Sequence, residues 1–202
     1  MESGQGGNLF LSGAGNGKLA AANRRKVTVS DLSRMAICVA FCCVSAYLSV
    51  PMPLVPGGML TALTVALNLM ALILSPRQVF VGILVYVLLG CVGLPVFVGG
   101  SSGFARLLGP TGGFIFAWLL AYPLVSLAKG QSPKFARYAG VSLLLALPIS
   151  YAGGMASMML VMEVDFWQAF WMGIVPYLPG DVLKCVFAAF LAVRIRRALG
   201  KY

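Results

Sequence analysis

The chain has 202 residues, of which 60% are hydrophobic and only 10% charged, against about 25% charged in an ordinary soluble domain. With a mean hydropathy of +0.93, this excludes a soluble enzyme and leaves an integral membrane protein with room for about six or seven spans. The net charge of +10 does not make nucleic acid an expected partner, because membrane proteins collect basic residues in their cytoplasmic loops; the partner that the composition implies is the lipid bilayer.

Residues 1–33 are rich in Gly, Asn and Ser and carry the basic cluster Arg24, Arg25 and Lys26. They read as a flexible cytoplasmic tail, and their longest apolar stretch is too short for a secretory signal. Residues 34–202 read as one six-helix membrane domain. Its apolar segments lie near 34–50, 58–75, 78–97, 113–128, 137–160 and 166–194, which predicts an all-α membrane protein of six transmembrane helices. The second segment holds Thr61, Thr64 and Asn68 and so has a slightly polar face. The fifth holds Pro148 and the pair Gly153 and Gly154, breakers that membrane helices tolerate when neighbours satisfy the freed backbone groups.

With the N-terminus inside, all but two of the fifteen basic residues fall on the cytoplasmic side, as the positive-inside rule requires. Both termini are then cytoplasmic, which needs an even number of spans. The exceptions are Arg106, in the outer loop after span three, and Lys184, inside span six. Topology does not account for them, so they are candidates for function.

The loop containing Arg106, VFVGGSSGFARLLGPTGGF at 96–114, has six glycines. It is either a plain flexible connection or a flap folded over a cavity. Phe97, Phe104, Leu107 and Leu108 are too apolar for a merely solvated loop. Gly99, Gly100, Gly103, Gly112 and Gly113 would let backbone approach a ligand closely.

Lys184 lies in YLPGDVLKCVFAAFLAV, residues 177–193, three positions after Asp181. A charge at the bilayer centre costs about 2.5–3.5 kcal/mol on the insertion scale, so something must offset two of them. On a helix the two share a face. They either neutralise each other in a salt bridge or line a polar ligand site. Pro179 and Gly180 suggest a helix that begins there, with free N–H groups at its end, as at the interrupted helices of many transporters. Elsewhere, Ala36 and Ala40 form a small-xxx-small pair of the kind that lets helices approach closely in lipid.

Histidine is absent, which removes the commonest acid–base group and metal ligand. The cysteines, Cys38, Cys42, Cys43, Cys91 and Cys185, all sit in apolar runs without metal-ligand spacing. No catalytic set, metal or cofactor is expected, and there is no nucleotide motif, so any ATP hydrolysis must belong to separate subunits.

GLPVFVGGSSGFARLLGPTGGF at 93–114 resembles the glycine-rich signature of the BioY family, the biotin-binding S components of energy-coupling factor (ECF) transporters. VPYLPGDVLKCVFAAFLAVRIRRAL at 175–199, with its Pro-Gly-Asp-x-x-Lys run, resembles the end of the same family, and SPRQ at 75–78 sits where the family has a Gly-Pro-Arg turn. The likeness runs from about residue 34 to the C-terminus. One departure is Thr61-Ala62-Leu63-Thr64, where the family often has Leu-Gln-Thr. The resemblance implies an S-component fold with both termini inside, in a bacterial cytoplasmic membrane, and biotin capture from the outer face. It implies that Asp181, Lys184, Arg106, the loop glycines and Tyr177 line the site. Asp181 would accept from the ureido N–H groups, and Lys184 or Arg106 would meet the carboxylate. Phe97, Phe104, Tyr86 or Tyr177 would wall the fused rings. It also implies that Ala36 and Ala40 meet a transmembrane coupling protein, which works with two ABC-type ATPases. The alternatives are an S component for another small anionic vitamin or metabolite, and a membrane interaction protein without a small-molecule ligand.

Overall fold

The computed structural model describes residues 28–51 and 59–200. Most of the expected tail lies outside the described residues. The first helix, α1 (Val29–Tyr47), starts ahead of the expected boundary at residue 34. It does so because Thr28 and Asp31 form a capping box: the Thr28 hydroxyl donates to Asp31 Oδ2 at 2.8 Å, and Asp31 N–H donates back to Thr28 Oγ1 at 3.3 Å. Next come two short antiparallel strands, β1 (Ser49–Pro51) and β2 (Met59–Thr61), with Ser49 opposite Thr61. They are a small exception in a mostly helical structure among the described residues, as the all-α expectation has it. Residues 49–61 are apolar enough to pass as the ends of two spans, but their prolines and glycines disfavour helix there.

The second expected span is reduced to α2 (Leu63–Ile73). At about 1.5 Å per residue it is near 16 Å long, half of a bilayer's hydrocarbon thickness. It is buried almost all round, from Leu63 through Leu72, the signature of a central helix. Ser75 and Gln78 form a second capping box, with Pro76 in the first turn, and launch α3 (Pro76–Cys91). Two single 3-10 turns follow, Val98–Gly100 and Phe104–Arg106, and then α4 (Gly112–Ala128).

α5 (Phe135–Met162) is one long helix. Its segment Ser142–Ala146 widens to a π-helix just ahead of Pro148. Proline lacks an N–H and its ring crowds the carbonyl four residues back, here Leu144; the wider turn relieves that crowding without ending the helix. The expected sixth span is two helices, α6 (Phe166–Gly173) and α7 (Leu178–Ala198). Two helices, α1 and α5, are long and apolar enough to cross a membrane, while α2, α3 and α4 are shorter apolar helices.

α4 packs against α5 and α3, and α2 sits against α7 and α4. Lipid tails are as apolar as leucine, so these contacts depend on close van der Waals packing and small residues rather than on water release. The fold supplies them. Ala188, Ala189 and Ala192 of α7 are fully buried. A Cβ on Gly113 of α4 would lie 2.0 Å from the Gly153 carbonyl oxygen of α5.

Candidate ligand cavity

α7 begins one residue before Pro179, a position where proline's missing N–H is not needed. This places Asp181 in the first turn, where the positive end of the helix dipole favours a carboxylate. Its Oδ1 accepts from Lys184 Nζ at 2.8 Å and its Oδ2 from the Tyr151 hydroxyl of α5 at 2.8 Å. The side chains of Lys184 and Asp181 are only 19% and 10% exposed. The cost of two charges in an apolar segment is therefore already offset within the protein, by mutual pairing and a tyrosine. A ligand is not needed to neutralise them. Yet an ionised carboxylate offers about four lone-pair sites, and these two bonds leave acceptor capacity on a group that lines a cavity.

The loop between α3 and α4 is packed rather than slack. Gly103 N–H donates to the Gly90 carbonyl at 2.8 Å, and Phe97 N–H to the Ser101 carbonyl at 2.9 Å. The Phe97 ring lies so close to Gly90 that a Cβ there would fall 2.2 Å from it. The same ring meets Tyr86 edge-on at 5.9 Å, and Tyr86 donates to the Val96 carbonyl at 2.9 Å. Arg106, in the second 3-10 turn, lines the cavity, and among the described residues no hydrogen bond or ion pair engages its guanidinium.

The cavity holds about 360 Å³, within the range of about 300–1,000 Å³ usual for small-molecule sites. Of the residues singled out from sequence, Asp181, Lys184, Arg106 and Tyr177 line it, as do Tyr86 and Phe97. Phe104 does not; it is 61% exposed. The five glycines are not part of its wall either. Gly99, Gly100 and Gly103 have φ of 74°, 70° and 94°, so the turn itself demands glycine there. A Cβ on Gly112 would strike the Leu107 carbonyl, and Gly113 is the contact with α5. Their small size serves backbone-to-backbone packing that shapes the cavity from behind.

Sequence reading missed Ser150, Tyr151, Trp118, Tyr122 and Phe114, which also line the cavity. Tyr151 offered a weak signal, a hydroxyl-bearing ring two positions before the Gly153–Gly154 break. Ser150 Oγ is buried and has no hydrogen-bond partner among the described residues.

Far from this cavity, at the other end of α4, Lys129 Nζ donates to the carbonyls of Ala71, at 2.7 Å, and Leu74. Ser126 Oγ donates to Leu74 as well, at 2.7 Å. Together they satisfy the free carbonyls that end α2. Burial, with the Arg196 guanidinium nearby, pushes the Lys129 ammonium down to about 7. Arg196 itself donates to the Tyr138 hydroxyl and to the Gly130 carbonyl. Ala36 and Ala40 lie on the exposed face of α1, with Ile37, Phe41 and Val44.

Comparison with known proteins joins these observations. The sequence pattern of the BioY family matches residues 21–201. A probable biotin transporter BioY of Pyrococcus horikoshii is 36% identical over 82% of this chain and 96% of the relative. A biotin transporter BioY2 of Lactococcus lactis subsp. cremoris is 32% identical over 84% of this chain and 91% of the relative. The biotin transporter BioY of Thermotoga maritima is 32% identical over 83% and 96%. Among solved structures, the S-component for biotin from an ECF-type ABC transporter superposes with a TM-score of 0.75 over 84% of this chain and 92% of that one, at 22% identity; the fold is shared. On the family pattern and these identities, the chain belongs to the BioY family.

Proposed function

We propose that this chain is the substrate-specificity subunit of an ECF-type transporter, capturing biotin for uptake across the cytoplasmic membrane. The observation that carries the reading is the convergence of Asp181, Lys184 and Arg106 on one aromatic-walled cavity in a chain with BioY relatives. Biotin has a ureido ring with two N–H donors and one carbonyl, a thioether ring, and a valerate carboxylate. Lys184 is already paired with Asp181, whereas Arg106 is unengaged among the described residues. The carboxylate accordingly meets Arg106. The ureido N–H groups meet the spare acceptor sites of Asp181, and the Ser150 hydroxyl, unpartnered among the described residues, serves the ureido carbonyl. Trp118, Phe97 and Phe114 hold the fused rings.

The chain performs no chemistry in this reading; ATP hydrolysis belongs to two ABC-type ATPases that act through a transmembrane coupling protein. The exposed Ala36 and Ala40 supply a close-approach face for that protein. Six crossings with both termini inside fit the gathering of Lys129, Arg137 and Arg196 at the end away from the cavity, which then opens outward. Cysteines introduced at Ser101 and Lys134, in a background freed of native cysteines, test the sidedness: an impermeant thiol reagent added outside should reach the first and not the second. Radiolabelled biotin binding to the purified protein, with competition by other small anionic vitamins, tests the ligand. Absence of saturable biotin binding, or stronger binding of a competitor, overturns it.

A further inference from the structure

α6 is eight residues, FWQAFWMG, with two unlike faces. Ala169 and Gly173 are buried, and Met172 and Gly173 form part of the cavity wall. The opposite face is aromatic and bare: Trp167 is 64% exposed and Trp171 63%. The rings are ordered against one another. Phe166 stacks on Phe170 at 6.4 Å, and both tryptophans meet Phe170 edge-on at 6.2 and 6.4 Å.

Its position along the fold is informative. Asp165 caps the helix, accepting from Gln168 N–H at 3.0 Å, and Glu163 turns the chain with a φ of 53°. Two acids thus mark a watery boundary at the end of α5, whose last turn still exposes Leu160 and Val161. From that boundary α6 folds back until Gly173 faces Met158. Met158 is one turn below the last residue of α5, a depth of about 6 Å at 1.5 Å per residue. Amphipathic helices that lie in a membrane interface bury their apolar face about 5–10 Å into the headgroup–acyl boundary, and tryptophan is enriched at that level.

We infer that α6 is an interfacial helix: its Trp167–Trp171 face lies in the headgroup–acyl boundary of the leaflet at the cavity end, while its Met172–Gly173 face walls the cavity. The occupant of the bare aromatic face is lipid, because α6 packs on α5, follows its exposed Leu160 and Val161 in the chain and starts at the two acids that mark the boundary. One short element therefore joins the bilayer boundary to the ligand site, an inference that rests on the reading of the cavity as that site.

The chain has three tryptophans, and Trp118 lines the cavity, so a Trp118→Phe variant reports on α6 alone. In zwitterionic phosphatidylcholine vesicles, spin labels on the headgroup or high on the acyl chain should quench this variant about twofold or more strongly than labels near the chain ends. Aqueous acrylamide should quench it weakly. Stronger quenching by the chain-end labels, or strong acrylamide quenching without lipid quenching, overturns the inference. If Trp118→Phe does not fold, the difference between the wild type and a Trp167→Phe/Trp171→Phe variant gives the same profile. Biotin binding is measured on the wild-type protein in vesicles of the same composition, since Trp118 itself lines the cavity. Boundary quenching without binding removes the biotin reading and leaves the interfacial helix standing; binding with deep quenching does the reverse.

Discussion

The two ends of α4 and α7 handle buried charge in opposite ways. At the end formed by the α4 C-terminus, Lys129 and Ser126 are spent on the backbone carbonyls of Ala71 and Leu74. Arg196 is engaged by Tyr138 and Gly130. At the other end, about 22 Å along α7 by helix rise, Asp181 and Lys184 pair with each other but front a cavity, and Arg106 across from them is unengaged among the described residues. Lys129 and Arg196 at one end, and Asp181 and Lys184 at the other, are all partnered, which avoids the several kcal/mol that an unpaired charge costs in lipid. The difference is residual capacity. Groups whose bonds are used up by backbone hold helices together; groups paired yet facing space can still bind.

That contrast can be broken by mutation. Asp181→Asn keeps the shape but turns an acceptor into a donor facing the ureido N–H groups, and Lys184→Ala leaves Asp181 without its ion-pair partner. Truncating one member of a buried charged contact costs about 2–5 kcal/mol, so each should weaken biotin about 30-fold or more in equilibrium binding. A double Asp181→Asn/Lys184→Met variant leaves no unpaired charge; if it binds biotin as the wild type does, the pair is structural and the contrast fails. Replacing Ala36 or Ala40 with Trp adds bulk to a face that belongs to neither charged end. Uptake should fall about tenfold, a coupling loss of ~1.4 kcal/mol, while biotin binding by the isolated protein stays; joint loss would make the helix a core element.

Lys129→Met should do the opposite of the Asp181 change. It leaves biotin affinity intact but strips a donor from two carbonyls, at about 1–3 kcal/mol, lowering Tm by several degrees in detergent. Weakened biotin binding there would erase the distinction between the ends. The same residue also sets a pH dependence. The Lys129 ammonium is pushed down to about 7 from an ordinary 10.5, so between those values the unfolded chain holds the extra proton. Stability then rises with pH across that window, with the full cost of charging felt below it. Tm should climb between about pH 7 and pH 9 in the wild type, and the climb should vanish in Lys129→Met.

The cavity's charged residues were legible because each violates a physical expectation: Asp181 and Lys184 put charge in an apolar run, and Arg106 breaks the sidedness of the basic residues. Tyr151, Ser150 and Trp118 violated nothing. A ring or hydroxyl in a membrane segment looks the same whether it faces lipid, a helix or a cavity, and only the crossing of α4, α5 and α7 decides. Gly112 and Gly113 are held by neighbouring backbone and are not among the cavity-lining residues, and a glycine required by backbone and one required by a ligand leave the same letter. In the fold, Pro179 and Gly180 announced the start of α7. The strands at 49–51 and 59–61 stayed hidden, because an apolar stretch flanked by spans carries no period that separates two short paired strands from helix ends.

The charges facing the cavity have an electrical consequence. One acid stands against two bases there, so the empty site carries a single positive charge in excess. On the reading of this cavity as the biotin site, a bound monocarboxylate cancels it. The filled site is then blind to the transmembrane voltage, whereas an empty site displaced across the membrane does work against it, about 2.3 kcal/mol for each 100 mV over the full thickness. On the proposed reading, the membrane potential acts on the return of the empty site and not on the passage of the loaded one.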